Sequence, residues 1–86
     1  MSREEILVKL KEILGSNQFL FSEEQIEKIN EDTSLIYDLV MDSIQILELL
    51  VTIEEAFSLT YEAQDLSADL FDKVSNLISF VETKIA

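Results

Sequence analysis

Ser43 is the residue whose type and position could carry chemistry in this chain. It follows Asp42 and opens the apolar, acid-flanked run SIQILELLVTIEEAF. A serine acts as a nucleophile when a base lies within hydrogen-bond reach, and the chain contains neither histidine nor cysteine. A carboxylate is a poor substitute at its usual pKa. No catalytic residue is therefore predicted, and Ser43 either belongs to a helix cap, as Asp42 could, or anchors a group that brings its own chemistry.

The run that begins at Ser43 predicts a helix from about residue 43 to 57. Successive residues 100° apart place one broad apolar face toward the core, made of Ile46, Leu49, Leu50, Ile53 and Phe57. A narrower apolar stripe lies beside it, with acids on both margins: Ile44, Leu47 and Val51, bordered by Glu48 and Glu55 on one edge and Glu54 on the other. The spacing alone favours equally a docking surface for a basic partner and the edge of an ordinary core.

Helices are also predicted at both ends of the chain. Residues 3–14 repeat apolar side chains at helical spacing, after a capping box of Ser2 and Glu5. Gly15 is expected to end this helix in the left-handed conformation. Asp72 is expected to cap a last helix that carries Val74, Leu77, Ile78, Val81 and Ile85.

Between these helices lies a long connection over residues 16–42, in which Ser22 and Gln25 are expected to cap a short turn. Its apolar side chains are expected to hold it across the core: Phe19, Leu20, Phe21, Leu35, Ile36 and Leu39. A further short helix is expected near residues 65–70. The prediction is an all-α single domain over residues 1–86, a small antiparallel four-helix bundle with three long helices, a short third helix and a long first loop.

Charge narrows the classes of partner. Six basic and eighteen acidic residues give a formal net charge of −12, which disfavours nucleic acid and anionic membranes and favours a basic protein surface. The alternative is that the charge only keeps the domain soluble. The calcium-loop pattern is absent, so no metal is predicted. The charged N-terminus predicts no signal peptide, and no apolar run reaches the roughly 18 residues of a membrane span. We expect a cytoplasmic monomer.

The wider pattern around Ser43 reads Asp38-Leu39-Val40-Met41-Asp42-Ser43-Ile44, followed by Glu48-Leu49 and Glu54-Glu55-Ala56-Phe57. Together with length, acidity and helix order, this pattern resembles the acyl carrier protein family, which includes the carrier domains of polyketide and nonribosomal peptide synthesis. The resemblance spans nearly the entire chain. It includes DTSL at residues 32–35 in the first loop and FDKV at residues 71–74.

The resemblance implies that Ser43 is esterified by 4′-phosphopantetheine from coenzyme A, with Asp42 as part of the modification motif. The arm's thiol would hold acyl intermediates as thioesters for fatty-acid or related lipid or polyketide synthesis, and the protein itself would not be an enzyme. Implied partners are a phosphopantetheinyl transferase and acyl transferases, synthases or ligases with basic docking surfaces. Six residues match positions at which members of the family contact their partners: Ile44, Leu47, Glu48, Val51, Glu54 and Glu55. Met41 is also expected to touch a partner.

Three residues depart from the family's common pattern. Glycine often stands two residues before the Asp-Ser pair, where this chain has Val40, and the next residue, commonly small, is Met41. Leucine often follows the serine in fatty-acid carriers, whereas Ile44 also suits specialised pathways. The alternatives left open are an aminoacyl, peptidyl or polyketide carrier of a dedicated pathway, and an unmodified carrier-like module that only binds a protein.

Overall fold

The computed structural model describes residues 1–16 and 18–85, and these residues form an all-helical fold, as predicted. Five α-helices and one 3₁₀ turn (Ala63–Asp65) occur in this part of the chain: α1 Arg3–Leu14, α2 Glu23–Glu27, α3 Ser43–Phe57, α4 Ala68–Asp72 and α5 Val74–Ile85. The predicted bounds of α1 and α3 are confirmed. Because α2 is an additional helix and the predicted short third helix is divided between the 3₁₀ turn and α4, the four-helix arrangement stays a prediction.

A reciprocal pair of hydrogen bonds caps the N-terminus of each of the first two helices. The Glu5 N–H donates to Ser2 Oγ at 3.2 Å, and the Ser2 N–H donates to Glu5 Oε1 at 3.1 Å. The same reciprocal pair joins Ser22 and Gln25 at the start of α2, with distances of 3.1 and 2.9 Å. The predicted capping box of Ser2 and Glu5 and the predicted cap by Ser22 and Gln25 are confirmed. They supply acceptors for backbone donors that have no partner within the helix.

The predicted cap at the end of α1 is wrong in its conformation. Gly15 is right-handed, with φ −79° and ψ −3°, and its N–H donates to the Lys11 carbonyl at 2.9 Å. A Cβ atom at Gly15 would lie 3.2 Å from that carbonyl oxygen. Close approach of backbone, rather than handedness, therefore favours glycine here.

The predicted cap of the last helix is also wrong, because Asp72 is the final residue of α4. Extended Lys73 separates α4 from α5, and its carbonyl accepts the Asn76 N–H at 3.1 Å. The first donors of α5 are satisfied by the first loop instead: Val74 N–H donates to the Thr33 carbonyl at 2.8 Å and Ser75 N–H to the Glu31 carbonyl at 2.9 Å. A partner distant in sequence thus replaces the local cap.

The long first loop is held by the core, as predicted, although not by every residue expected. Phe19, Leu35 and Leu39 are buried with the apolar faces of α1, α3 and α5, and Phe21 is half-buried against the same core. The predictions for Leu20 and Ile36 are wrong, because these side chains are exposed. The loop turns at both places, so it alternates buried anchors with exposed apolar residues.

Two further contacts fasten the chain ends and the loops to the long helices. Arg3 of α1 donates to Glu31 of the first loop and to Glu82 of α5, which raises its pKa. Tyr61 donates its hydroxyl to the Leu50 carbonyl at 2.9 Å and stacks on Phe80, with ring centroids 5.4 Å apart. Within residues 1–16 and 18–85, no helix has both the length and the apolar character needed to cross a membrane.

Candidate functional site

The N-terminus of α3 is built by Asp42. Its Oδ1 accepts the Gln45 N–H at 2.8 Å, while Gln45 Oε1 accepts the Asp42 N–H at 3.0 Å. Asp42 has extended backbone angles, φ −86° and ψ 176°, as a residue just outside a helix requires. Asp42 is therefore the cap of α3. Ser43 is the first residue of this helix, and its side chain is exposed.

This cap shapes the backbone donors around Ser43. The Gln45 N–H is taken by the Asp42 carboxylate, and the Ile46 N–H donates to the Asp42 carbonyl at 3.0 Å. The N–H groups of Ser43 and Ile44 precede these and belong to the first turn, whose donors have no acceptor within the helix. A helix start of this kind favours an anionic group, such as a phosphodiester, beside the Ser43 hydroxyl.

An apolar groove opens beside Ser43. Its volume is about 410 Å³, and its walls come from α3, from the segment before α4 and from α4 itself: Ser43, Ile46, Leu47, Leu50, Leu66 and Phe71. Apart from Ser43, these are all hydrophobic side chains. A flexible group attached to Ser43 therefore has polar backbone donors on one side and aliphatic surface on the other.

The narrow stripe of α3 is exposed. Ile44, Leu47 and Val51 are 69%, 62% and 55% exposed, so the interpretation as an edge of the core is wrong for these side chains. The core face is as predicted, since Leu49, Leu50, Ile53 and Phe57 are buried and Ile46 is half-buried. On the margins of the stripe, Glu48 and Glu55 are exposed and Glu54 is half-buried. The result is an aliphatic surface with an acidic edge, on the helix that begins at Ser43.

Met41 does not belong to this surface. Its side chain is 5% exposed and lies in the core, and its N–H donates to the Leu35 carbonyl at 3.0 Å. The expectation that Met41 touches a partner is therefore wrong. Proximity to Ser43 in sequence suggested an exposed side chain, but the turn before α3 directs Met41 inward.

That turn has a feature that sequence reasoning did not predict: Val40 is left-handed, with φ 51°. A branched side chain at positive φ is a steric outlier that costs about 1–2 kcal/mol. Leu39 and Met41 on either side are buried, whereas Val40 is 74% exposed. The signal was present in the sequence, because Val40 occupies a position where the resembling family often has glycine.

Acidic side chains dominate the part of the chain that contains the site. Between Lys28 and Lys73 the sequence has eleven acidic residues and no lysine or arginine. Ser43 and the stripe lie in the middle of this segment. Its potential favours an approaching surface that carries basic groups and opposes one that is acidic.

Comparisons with known proteins show the family of this chain. The family model described as the phosphopantetheine attachment site matches residues 5–81. The chain belongs to the acyl carrier protein family. An acyl carrier protein of Exiguobacterium sibiricum is 33% identical over 85 residues, which cover 99% of this chain and 100% of that relative. The acyl carrier protein of Thermotoga maritima is 32% identical over 84 residues, covering 98% of this chain and 96% of the relative.

The family's cofactor is 4′-phosphopantetheine, and the residues at the start of α3 fit it. The group needs an exposed hydroxyl as its attachment point, and Ser43 offers one on the first residue of a capped helix. The backbone donors of the first turn suit its phosphate, and the neighbouring groove suits the rest of a flexible arm. When bound, the group supplies a thiol, which this cysteine-free chain lacks.

Proposed function

We propose that Ser43 carries 4′-phosphopantetheine and that the protein is a non-catalytic carrier, on which acyl groups are held as thioesters and moved between partner enzymes. The observation that carries this proposal is the position of Ser43. Because Asp42 takes the capping role, the Ser43 hydroxyl stands exposed on the first turn of α3 and is not engaged as the cap. The family model is described as the phosphopantetheine attachment site, which supports attachment of this group to the chain.

The attachment itself needs an enzyme from outside. The Ser43 oxygen would form a bond to the pantetheine-side phosphorus of coenzyme A, and the pyrophosphate bond would break to release adenosine 3′,5′-bisphosphate. The serine proton would pass to a base of the transferase, since this chain contains no histidine and the Asp42 carboxylate accepts a backbone N–H. No co-reactant other than coenzyme A is required.

The exposed stripe of α3 is the proposed docking surface for the transferase and for later synthases, acyl transferases or ligases. The aliphatic side chains of Ile44, Leu47 and Val51 supply contact area, and an interface of this kind has an apolar centre with a charged rim. The acidic rim of this stripe consists of Glu48, Glu54 and Glu55. It would orient a basic partner so that the partner's active site faces Ser43. Association should therefore slow as salt concentration rises.

Pathway and cargo follow from the partners and not from the helices. Fatty-acid or related lipid or polyketide synthesis is the proposed setting, because the similar proteins in Exiguobacterium and Thermotoga are named acyl carrier proteins. The rival is an unmodified module that binds a protein through α3. That rival uses the same stripe but leaves the Ser43 hydroxyl without a purpose.

A mass measurement separates the two functions. The purified protein is incubated with coenzyme A and several phosphopantetheinyl transferases, and its intact mass is recorded. We expect a gain of one phosphopantetheine, which Ser43→Ala abolishes. Ser67→Ala is the matched control, because Ser67 is also exposed next to a helix start and its side chain makes no capping hydrogen bond. An unchanged mass with every transferase would favour the unmodified module.

A further inference from the structure

The left-handed turn before α3 exposes the side chain of Val40, although a branched residue at this position carries a steric penalty that glycine would avoid. Val40 has φ 51° and is 74% exposed, so its isopropyl group adds little to the core. The backbone needs the turn, because Leu39 and Met41 are both buried and Met41 N–H reaches the Leu35 carbonyl. Glycine would adopt the same turn without the steric penalty. A strained residue that does not stabilise the fold points to a contact outside it.

Tyr37 presents a second large side chain on the same short segment. It is 78% exposed, while its N–H donates to Ser34 Oγ at 3.0 Å. Asp38 steadies the same turn, since its Oδ2 accepts the Ser34 N–H at 2.7 Å. The backbone that carries Tyr37 and Val40 is therefore braced by hydrogen bonds. These two residues are called the ledge below.

The ledge lies close to Ser43 along the chain. Val40 lies three positions before Ser43, which limits the distance between their Cα atoms to about 11 Å. A transferase must bring the phosphorus of coenzyme A into contact with the Ser43 hydroxyl, so it has to cover the surface around that residue. Enzymes that act at the far end of a flexible arm are under no such constraint. The occupant best matched to the ledge is therefore the transferase.

The charge around Tyr37 and Val40 indicates the chemistry of the transferase surface that would contact them. The ledge lies within the segment between Lys28 and Lys73, which has eleven acids and no base, and exposed Asp38 and Asp42 flank Val40. An apolar residue among acids is complemented by an apolar recess with basic side chains around it. We propose that Tyr37 and Val40 make a second apolar contact with the phosphopantetheinyl transferase that modifies Ser43, in a recess edged by basic side chains. This inference rests on the proposed function of Ser43.

The test compares three variants in two assays. Val40→Gly and Tyr37→Ser remove the ledge, and Leu20→Gly is the matched control, because Leu20 is also left-handed (φ 59°) and 87% exposed. Leu20 lies two residues after Gln18, whose side chain donates to Thr52 Oγ1. Thr52 is nine residues, or about 14 Å, along α3 from Ser43. The assays are thermal unfolding, and the kinetics of Ser43 modification with coenzyme A and the transferase encoded in the same genome.

We expect Val40→Gly and Leu20→Gly both to keep or raise the melting temperature, since each relieves a left-handed side chain. Only the ledge variants should be modified less efficiently. Their kcat/KM should fall about tenfold, as expected when a side chain is removed from an interface, and mainly because KM rises. Equal kinetics for Val40→Gly and Leu20→Gly would overturn the contact. If the wild-type chain is not modified at all, the proposed function fails and this inference fails with it.

Discussion

Asp42 and Gln45 hold each other at the start of α3, through two reciprocal hydrogen bonds of 2.8 and 3.0 Å between backbone N–H groups and side-chain oxygens. This pair sets where the helix begins and leaves Ser43 as its first residue. The residue next to the attachment point therefore has a structural role of its own. Its contribution to folding must be separated from any contribution to modification.

Two variants of Asp42 make that separation. Asp42→Ala removes the acceptor and should lower the free energy of unfolding by about 0.5–2 kcal/mol, the usual cost of a lost cap. Asp42→Asn keeps a capping oxygen and should cost clearly less, while it removes a charge beside Ser43. Urea unfolding measures the first effect, and the rate of Ser43 modification measures the second. Equal destabilisation by both variants would contradict the assignment of Asp42 as the cap.

A pair of neighbours in the first loop tests how the loop is held. Leu35 is fully buried, whereas the next residue, Ile36, is 38% exposed. Leu35→Ala should lower the free energy of unfolding by about 2–5 kcal/mol, because it leaves a cavity in the core. Ile36→Ala should cost clearly less than Leu35→Ala, since more than a third of Ile36 is already exposed to water. Similar losses for the two variants in denaturant unfolding would show that the loop is not anchored in this way.

These elements also show what the sequence could and could not predict. The bounds of α3 and the capping box of Ser22 follow from local patterns, because periodicity and caps act within a few residues. The prediction that Asp72 caps the last helix was wrong, because backbone carbonyls of the first loop, distant in sequence, accept the first N–H groups of α5. The burial of Met41 and the exposure of Leu20 depend on where the loop turns. Sequence spacing does not encode that direction.

The exposed stripe of α3 predicts a loss of partner recognition without a loss of stability. Leu47→Ala should reduce kcat/KM for Ser43 modification by roughly tenfold if Leu47 lies in the centre of the interface. Val8→Ala is the control, because Val8 on α1 is 55% exposed, against 62% for Leu47, and lies on another helix. Both variants should unfold close to the wild-type midpoint. Equal kinetics for Leu47→Ala and the wild type would remove Leu47 from the docking surface.

The ion pair of Asp65 and Lys84 predicts a pH dependence of stability. Asp65 Oδ2 accepts the Glu62 N–H at 2.8 Å and lies 2.9 Å from Lys84 Nζ, and these contacts lower the pKa of Asp65 below its usual value of 3.8. A lowered pKa in the folded state adds stability above the unfolded-state pKa, and this is lost as pH falls through the folded value.

The variant Asp65→Asn isolates this charge, because its amide oxygen can still accept the Glu62 N–H. At neutral pH it should unfold at a lower urea concentration than the wild type. The difference between the two midpoints should shrink as pH falls below 3.8, where the wild-type carboxyl takes up its proton. Lys84→Met should follow the same trend. A difference that stays constant at all these pH values would contradict the ionic origin of the effect.

The most direct test of the central claim is to locate the modification within the chain. The sequence contains nine serines, so a mass gain alone does not identify the attachment point. Fragmentation of the peptide that spans α3, after reaction with coenzyme A and a phosphopantetheinyl transferase, assigns the added mass to one residue. The account predicts a single phosphopantetheine on Ser43. Its appearance on another serine, or on none, would contradict it.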